Sequence, residues 1–170
     1  MSLITPGSFA RSLRGDDPAA RLAVLRIISR VGLEDTGVVS RVAEVLKDAD
    51  RRVRYHSAKS LARLGPEART AAEALAAALK DEDEEVRYFV AKGLSKIGPA
   101  AREALPDLIE ALNDRDAKVR YYCAKALGMI GTEAKAAKLP LLAALEDDYP
   151  EVREAAAHAL SRIEIFPYAL

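Results

Sequence analysis

The chain has 170 residues, half of them hydrophobic and 31% charged, ample for a core with a soluble surface. Its 26 Lys and Arg balance 26 Asp and Glu, which excludes a globally basic, polyanion-seeking protein but leaves room for a local patch. One cysteine cannot form an internal disulfide, no run of about 18 apolar residues could cross a bilayer, and the N-terminal stretch lacks the basic-then-apolar order of a secretory leader. A cytoplasmic protein in a reducing compartment is expected.

In chain order, residues 5–32 read as the degenerate first copy of a repeat. Phe9 and Leu13 fit a stunted first helix, and Leu25, Ile28 and Val31 trace a second one that closes at Gly32, with Arg21 ahead of them. Four regular copies occupy 33–65, 66–98, 99–131 and 132–163, and 164–170 forms a tail. Val53, Val86, Val119 and Val152 recur every 33 residues, without slippage. Behind them stand Ala58, Ala91, Ala124 and Ala157, then Leu61, Leu94, Leu127 and Leu160, then Leu64, Ile97, Ile130 and Ile163. This helical spacing predicts one buried stripe per copy. No alternating run long enough for a strand is present. Cys123 aligns with Ser57, Val90 and Ala156, a small core slot that predicts an inert thiol.

Each copy reads as two helices. The first carries Val42 and Leu46, Leu75 and Leu79, Leu108 and Leu112, and Leu142 and Leu145. Asp50, Asp83 and Asp116 stand where second helices need an N-cap. Gly65, Gly98 and Gly131 fit a left-handed position after the last turn, and Pro66 and Pro99 open the next first helix. Pro106 and Pro140 fall inside first helices, which predicts a kink or a true helix start at the proline. The apolar tail 164–170 is expected to cap the last hairpin or to meet another copy, so that oligomerisation through an end repeat is one expectation.

The paired aspartates, the Val-Arg step and the Ala/Leu/Ile stripe closing on glycine resemble the HEAT repeat, in particular its phycobilisome-lyase-type variant, over roughly residues 16–163. The resemblance implies an all-α fold, a right-handed α–α superhelix (a HEAT-like solenoid) of about five helical hairpins. It implies a hydrogen-bonded ladder between repeats, made by a turn Asp and the Arg six positions later. The matching pairs are Asp48 and Arg54, Asp81 and Arg87, Asp114 and Arg120, and Asp147 and Arg153. The first copy has Gly15 with Arg21, so its rung is expected to be broken or shifted to Asp16. These arginines are read as structural.

The resemblance also implies that second helices line the concave face. The stripe opposite the buried one then comprises Leu22, Arg26 and Arg30; Tyr55, Lys59 and Arg63; Tyr88, Lys92 and Lys96; Tyr121, Lys125 and Met129; and Glu154, His158 and Arg162. Cations dominate it. Helix-end cations such as Arg63 and Lys96 also complement the helix dipole, but Lys59, Lys92 and Lys125 lie mid-helix. Tyrosine offers flat area with a polar tip, and Lys and Arg offer positive potential, so an acidic or phosphorylated peptide, or an acidic protein surface, is the expected partner.

Single-stranded nucleic acid is the alternative, through stacking plus cations, with Glu84, Glu85, Glu151 and Glu154 near the rim weighing against it. A non-catalytic accessory subunit of a lyase-like enzyme is the other. No enzyme activity, cofactor or metal is expected: phosphate-loop, dinucleotide and Cys/His metal spacings are missing from the sequence, and His56 and His158 belong to copies three periods apart.

Overall fold

A computed structural model describes residues 6–31 and 36–164 of the chain. Gly32, which closes the first copy, and residues 165–170 of the tail lie outside the described residues. Those described form α-helices joined by 3₁₀ segments, with no strand among them. Short first helices, α1 (Pro6–Arg14), α3 (Thr36–Glu44), α5 (Ala72–Ala78), α7 (Leu105–Glu110) and α9 (Lys138–Ala143), alternate with second helices of 14 residues. The latter are α2 (Pro18–Val31), α4 (Arg51–Leu64), α6 (Glu84–Ile97), α8 (Ala117–Ile130) and α10 (Pro150–Ile163). Successive hairpins stack into an α-solenoid. The stunted α1 is present and buries Phe9 and Leu13. No described helix is long and apolar enough to cross a membrane.

The sequence dictates where helices begin. Asp50 accepts the Arg52 N–H, Asp83 those of Glu85 and Val86, and Asp116 those of Lys118 and Val119, relieving amides that the first turn leaves without partners. Before α10 the cap position holds Tyr149, which makes no side-chain cap, and Pro150 starts the helix. Pro106 and Pro140 do not kink a helix. The chain runs as 3₁₀ helix over Gly98–Ala104 and, interrupted at Ala134, over Gly131–Ala137, and α7 and α9 start at Leu105 and Lys138, so that each proline falls in a first turn. In a first turn the missing N–H breaks no bond.

The three closing glycines depart from the expected left-handed conformation. Their φ values are positive, at 62°, 69° and 74°, but ψ is −125°, −134° and −138°. That region is closed to side chains more strictly than the left-handed helical well, which Asn also enters.

The apolar stripes form one continuous core, with Val53, Val86 and Val119, Ala58, Ala91 and Ala124, and Leu61, Leu94 and Leu127 wholly buried. Two expectations need correction. In α10, Ala157 is exposed and Leu160 only half-buried against the core, whereas the equivalent residues of α4, α6 and α8 are also packed by the hairpin after them. In α9 the buried residue is Leu141, at 0% exposure, while Leu142 stands 42% exposed. Leu141 is the residue that the strict period assigns to the place of Val42, Leu75 and Leu108.

The arginine ladder runs between hairpins through a different acceptor than the paired spacing implied. Arg54, Arg87 and Arg120 place Nε 2.8, 2.7 and 2.7 Å from the carboxylates of Asp81, Asp114 and Asp147, 27 residues ahead. To the Asp six residues behind, each donates only through Nη1 to the backbone carbonyl. The first rung is neither broken nor shifted to Asp16: Arg21 lies 2.7 Å from Asp48, and its Nη1 donates to the Gly15 carbonyl. A backbone acceptor survives the loss of the Asp side chain. Among the described residues Arg153 keeps only the backbone half of a rung, to Asp147 and Asp148.

Second helices pack against one another along the whole stack, whereas first helices meet their counterparts sparsely. Small residues permit the close approach. A Cβ at Gly93 would lie 3.5 Å from Ala62 Cα, and one at Gly128 only 2.9 Å from Ala159 Cα. A stack that is tight along one row of helices and loose along the other bends toward the tight row. Closer packing of the second helices is what the expected placement of these helices on the inner side requires.

Candidate functional site

On that inner side, a tyrosine occupies the same place in α4, α6 and α8, two residues after the buried valine, and a lysine stands one turn later. The Lys59 ammonium donates to the Tyr55 hydroxyl at 3.3 Å, and Lys92 to Tyr88 at 3.2 Å. Tyr55, Tyr88, Tyr121, Lys59, Lys92 and Met129 are half-buried; Arg26, Arg63, Lys96, Lys125, His158 and Arg162 are exposed.

The stripe is wider than its 33-residue register indicates. His56, Phe89 and Tyr122, each directly after a stripe tyrosine, join the row. Tyr55 packs edge-on against Phe89 with centroids 5.3 Å apart, and Tyr88 against Tyr122 at 5.5 Å. Within helices, Tyr55 meets His56 at 5.0 Å, Tyr88 meets Phe89 at 4.7 Å and Tyr121 meets Tyr122 at 4.8 Å. The result is an unbroken edge-to-face chain from His56 to Tyr121, a geometry that the ring quadrupole favours. Lys59 lies 5.3 and 5.5 Å from the Tyr55 and Phe89 centroids, and Lys92 lies 5.4, 5.9 and 5.6 Å from Tyr88, Phe89 and Tyr122. An aromatic or imidazole ring after the tyrosine in three successive copies was the available signal. The row ends where α10 has Glu154 and Ala155.

Many of the carboxylates are engaged elsewhere. Arg51 takes Asp83 and Glu85, Lys80 takes Asp107 and Glu110, and the ladder takes Asp81, Asp114 and Asp147. Among the described residues, none of Arg26, Lys59, Arg63, Lys92, Lys96, Lys125 and Arg162 forms an ion pair. The Lys92 amine is shifted up, chiefly by its hydrogen bond to Tyr88. His56 is shifted down by burial and then by the Arg26 and Lys59 charges, which keeps its ring neutral.

Three hollows collect most of the predicted residues. Arg63, Lys92, Lys96, Lys125 and Met129 line one of about 490 Å³. Tyr121, Lys125, Met129, His158 and Arg162 line one of about 300 Å³, which also takes in Glu154. Tyr88 and Tyr121 share a third of about 710 Å³ with Tyr122, Tyr149, Lys118 and Glu151. Tyr55, Lys59 and Arg26 line none of these. They join the row through the Tyr55–Phe89 contact and the Arg26 and Lys59 charges on His56.

Cations and aromatic rings make up much of the polar and ring surface of these hollows, with Glu154 and His158 together in one of them. Cys123 is wholly buried, and burial pushes its thiol up, away from the reactive thiolate. No group of three or more His, Cys, Asp or Glu among the described residues is placed to hold a metal ion.

The family model for HEAT repeats matches residues 42–117 and 72–161. No curated protein matches the sequence. Among solved structures, an engineered protein superposes with a TM-score of 0.77 at 24% identity, over 93% of this chain and 78% of its own. A designed armadillo repeat protein in complex with the peptide (KR)4 gives 0.76 at 16% identity, over 92% of this chain and 80% of its own. The complex of CpcE and CpcF of phycocyanin lyase from Nostoc sp. PCC7120 gives 0.76 at 24% identity, over 96% of this chain and 66% of that chain. At such identities the likeness establishes the stacked-helix fold.

Proposed function

The chain belongs to the HEAT-repeat family, and from that premise we propose that it is a non-catalytic binding scaffold that grips an acidic, extended protein segment along the inner face of its second helices. The observation that carries this reading is the set of cations on α2, α4, α6, α8 and α10 that meet no carboxylate among the described residues, in a chain of net charge +0. Unpaired charge concentrated on one concave face raises the local concentration of an opposite charge and fixes its register. The aromatic row adds flat, partly buried area of the kind that concentrates binding energy. Two structural neighbours support a peptide or subunit as occupant: one is in complex with the peptide (KR)4, and CpcE and CpcF form a complex with each other. Single-stranded nucleic acid is disfavoured. Its bases need open ring faces to stack on, and here the rings pack edge-on against one another with Lys59 and Lys92 beside them.

Fluorescence anisotropy with a labelled alternating Asp/Glu peptide tests the proposal. Binding is expected at low salt and is expected to weaken as salt screens the groove. The triple variant Lys59→Glu, Lys92→Glu and Lys125→Glu is expected to abolish it with helicity unchanged by circular dichroism. Undiminished binding by that variant would remove the groove as the site.

A further inference from the structure

Resting on that reading, we propose that the hollow where α4, α6 and α8 end is a seat for one phosphomonoester carried by the bound segment, a phosphorylated Ser or Thr within an acidic peptide. Four cations, Arg63, Lys92, Lys96 and Lys125, line this single hollow of about 490 Å³, and no carboxylate lines it. None of the four has an ion-pair partner among the described residues. Elsewhere on the same face the charge is mixed: Glu154 enters the neighbouring hollow, and Asp116, Glu151 and Glu154 enter the larger one. Among these three hollows, positive charge stands alone only here.

Two of the four cations also have contacts that position them. The stem of Lys96 lies across the α4 terminus, its Cβ 3.8 Å from where a Cβ on Gly65 would be. Lys92 is tied to the Tyr88 hydroxyl. Tyr122 and Met129 add ring and thioether surface to the lining. Met129 stands at the place where the other regular copies carry Arg63, Lys96 and Arg162. Arg63 and Lys96 occupy last turns and partly offset the negative helix ends there. Lys92 and Lys125, mid-helix, have no such demand on them. A carboxylate brings one charge and two oxygens to this cluster. A phosphomonoester brings a charge of about −1.5 to −2 and three acceptor oxygens, which suits a hollow on which several donors converge.

The test uses the full chain and a short fluorescein-labelled Glu/Gly peptide carrying one phosphoserine, beside its unphosphorylated twin. The phosphopeptide is expected to bind at least about tenfold more tightly than the twin, in line with charge-assisted hydrogen bonds gained at one site. The double variant Arg63→Gln and Lys96→Gln, with its fold checked by circular dichroism, is expected to lose that increment, so that phosphopeptide and twin, both weakened, bind within about threefold of each other. Equal binding of peptide and twin overturns the phosphate seat and leaves the acidic-groove reading standing. Binding of neither overturns both. Inorganic phosphate that displaces the phosphopeptide at concentrations near the peptide's own Kd assigns the seat to free phosphate and overturns the peptide as its source. A single-stranded oligonucleotide that outcompetes the phosphopeptide overturns the protein partner.

Discussion

Gly93 and Gly128 both fall inside second helices, where glycine costs helix propensity. Their surroundings separate them. At Gly128 a methyl group would meet Ala159 Cα at 2.9 Å, backbone that cannot swing aside; at Gly93 the nearest atom, Ala62 Cα, is at 3.5 Å, an ordinary contact. Gly128→Ala is therefore expected to destabilise by about 1–3 kcal/mol through overpacking. Gly93→Ala is expected to stabilise by up to about 1 kcal/mol, because alanine gains helix propensity and meets no obstruction. Urea unfolding of both variants gives the two signs; a stabilised Gly128→Ala would mean that α8 and α10 pack less closely than described. The aromatic row is a similar case. The tyrosines were legible from their 33-residue register, and the ring that follows each of them (His56, Phe89, Tyr122) was a weaker signal, since the sequence does not say which rings touch. Only the packing of one helix on the next turns adjacent residues into a continuous chain of rings.

At the scale of the element, the ladder shows what a perfect repeat conceals. When every copy carries both Asp and Arg, a rung inside one copy and a rung between copies leave the same sequence pattern. The degenerate first copy breaks the tie. Gly15 has no carboxylate, yet Arg21 is paired, because its acceptor is Asp48 of the next copy. Arg87 and Asp114 are nearly enclosed, at 7% and 10% side-chain exposure. Arg87→Met is expected to cost about 2–4 kcal/mol, below the full penalty for breaking a buried pair because Asp114 keeps the Asp116 amide as a donor. Urea unfolding measures that loss.

Acid tests the last rung. Hydrogen bonding from Arg120 is the main cause that holds the Asp147 carboxyl below the ordinary carboxylate range. A depressed folded-state pKa contributes stability above the ordinary value near 4, and that contribution is lost as pH falls through the lower folded value. Urea midpoints are thus expected to hold from neutral pH to about 4 and to drop below it. Asp147→Asn is expected to be less stable at neutral pH and to show a shallower acid decline. An acid limb as steep as that of the parent would assign the sensitivity to other carboxylates.

At the scale of the whole molecule, stacking without long-range closure makes stability a sum of hairpin terms and neighbour interfaces. The fold was legible because that arithmetic leaves its period in the sequence. The closeness of α8 and α10 was not, since it depends on Gly128 lying against the Ala159 backbone. The same arithmetic predicts graded opening, and Cys123 reports on it, being wholly buried in α8 with hairpins on both sides. Leu94 is at 0% exposure in the adjacent α6, whereas Leu160 of α10 is half-buried. Leu94→Ala is expected to cost about 2–5 kcal/mol, and a loss of about 2 kcal/mol raises the open population about 30-fold. Thiol modification of Cys123 by a disulfide reagent is therefore expected to quicken about 30-fold or more in Leu94→Ala. In Leu160→Ala it is expected to change by less than about threefold, because the weakened contacts lie on the face of α10 turned away from α8. If each variant instead quickens Cys123 by its full loss of stability, the array opens as a single all-or-none unit and the nearest-neighbour description fails.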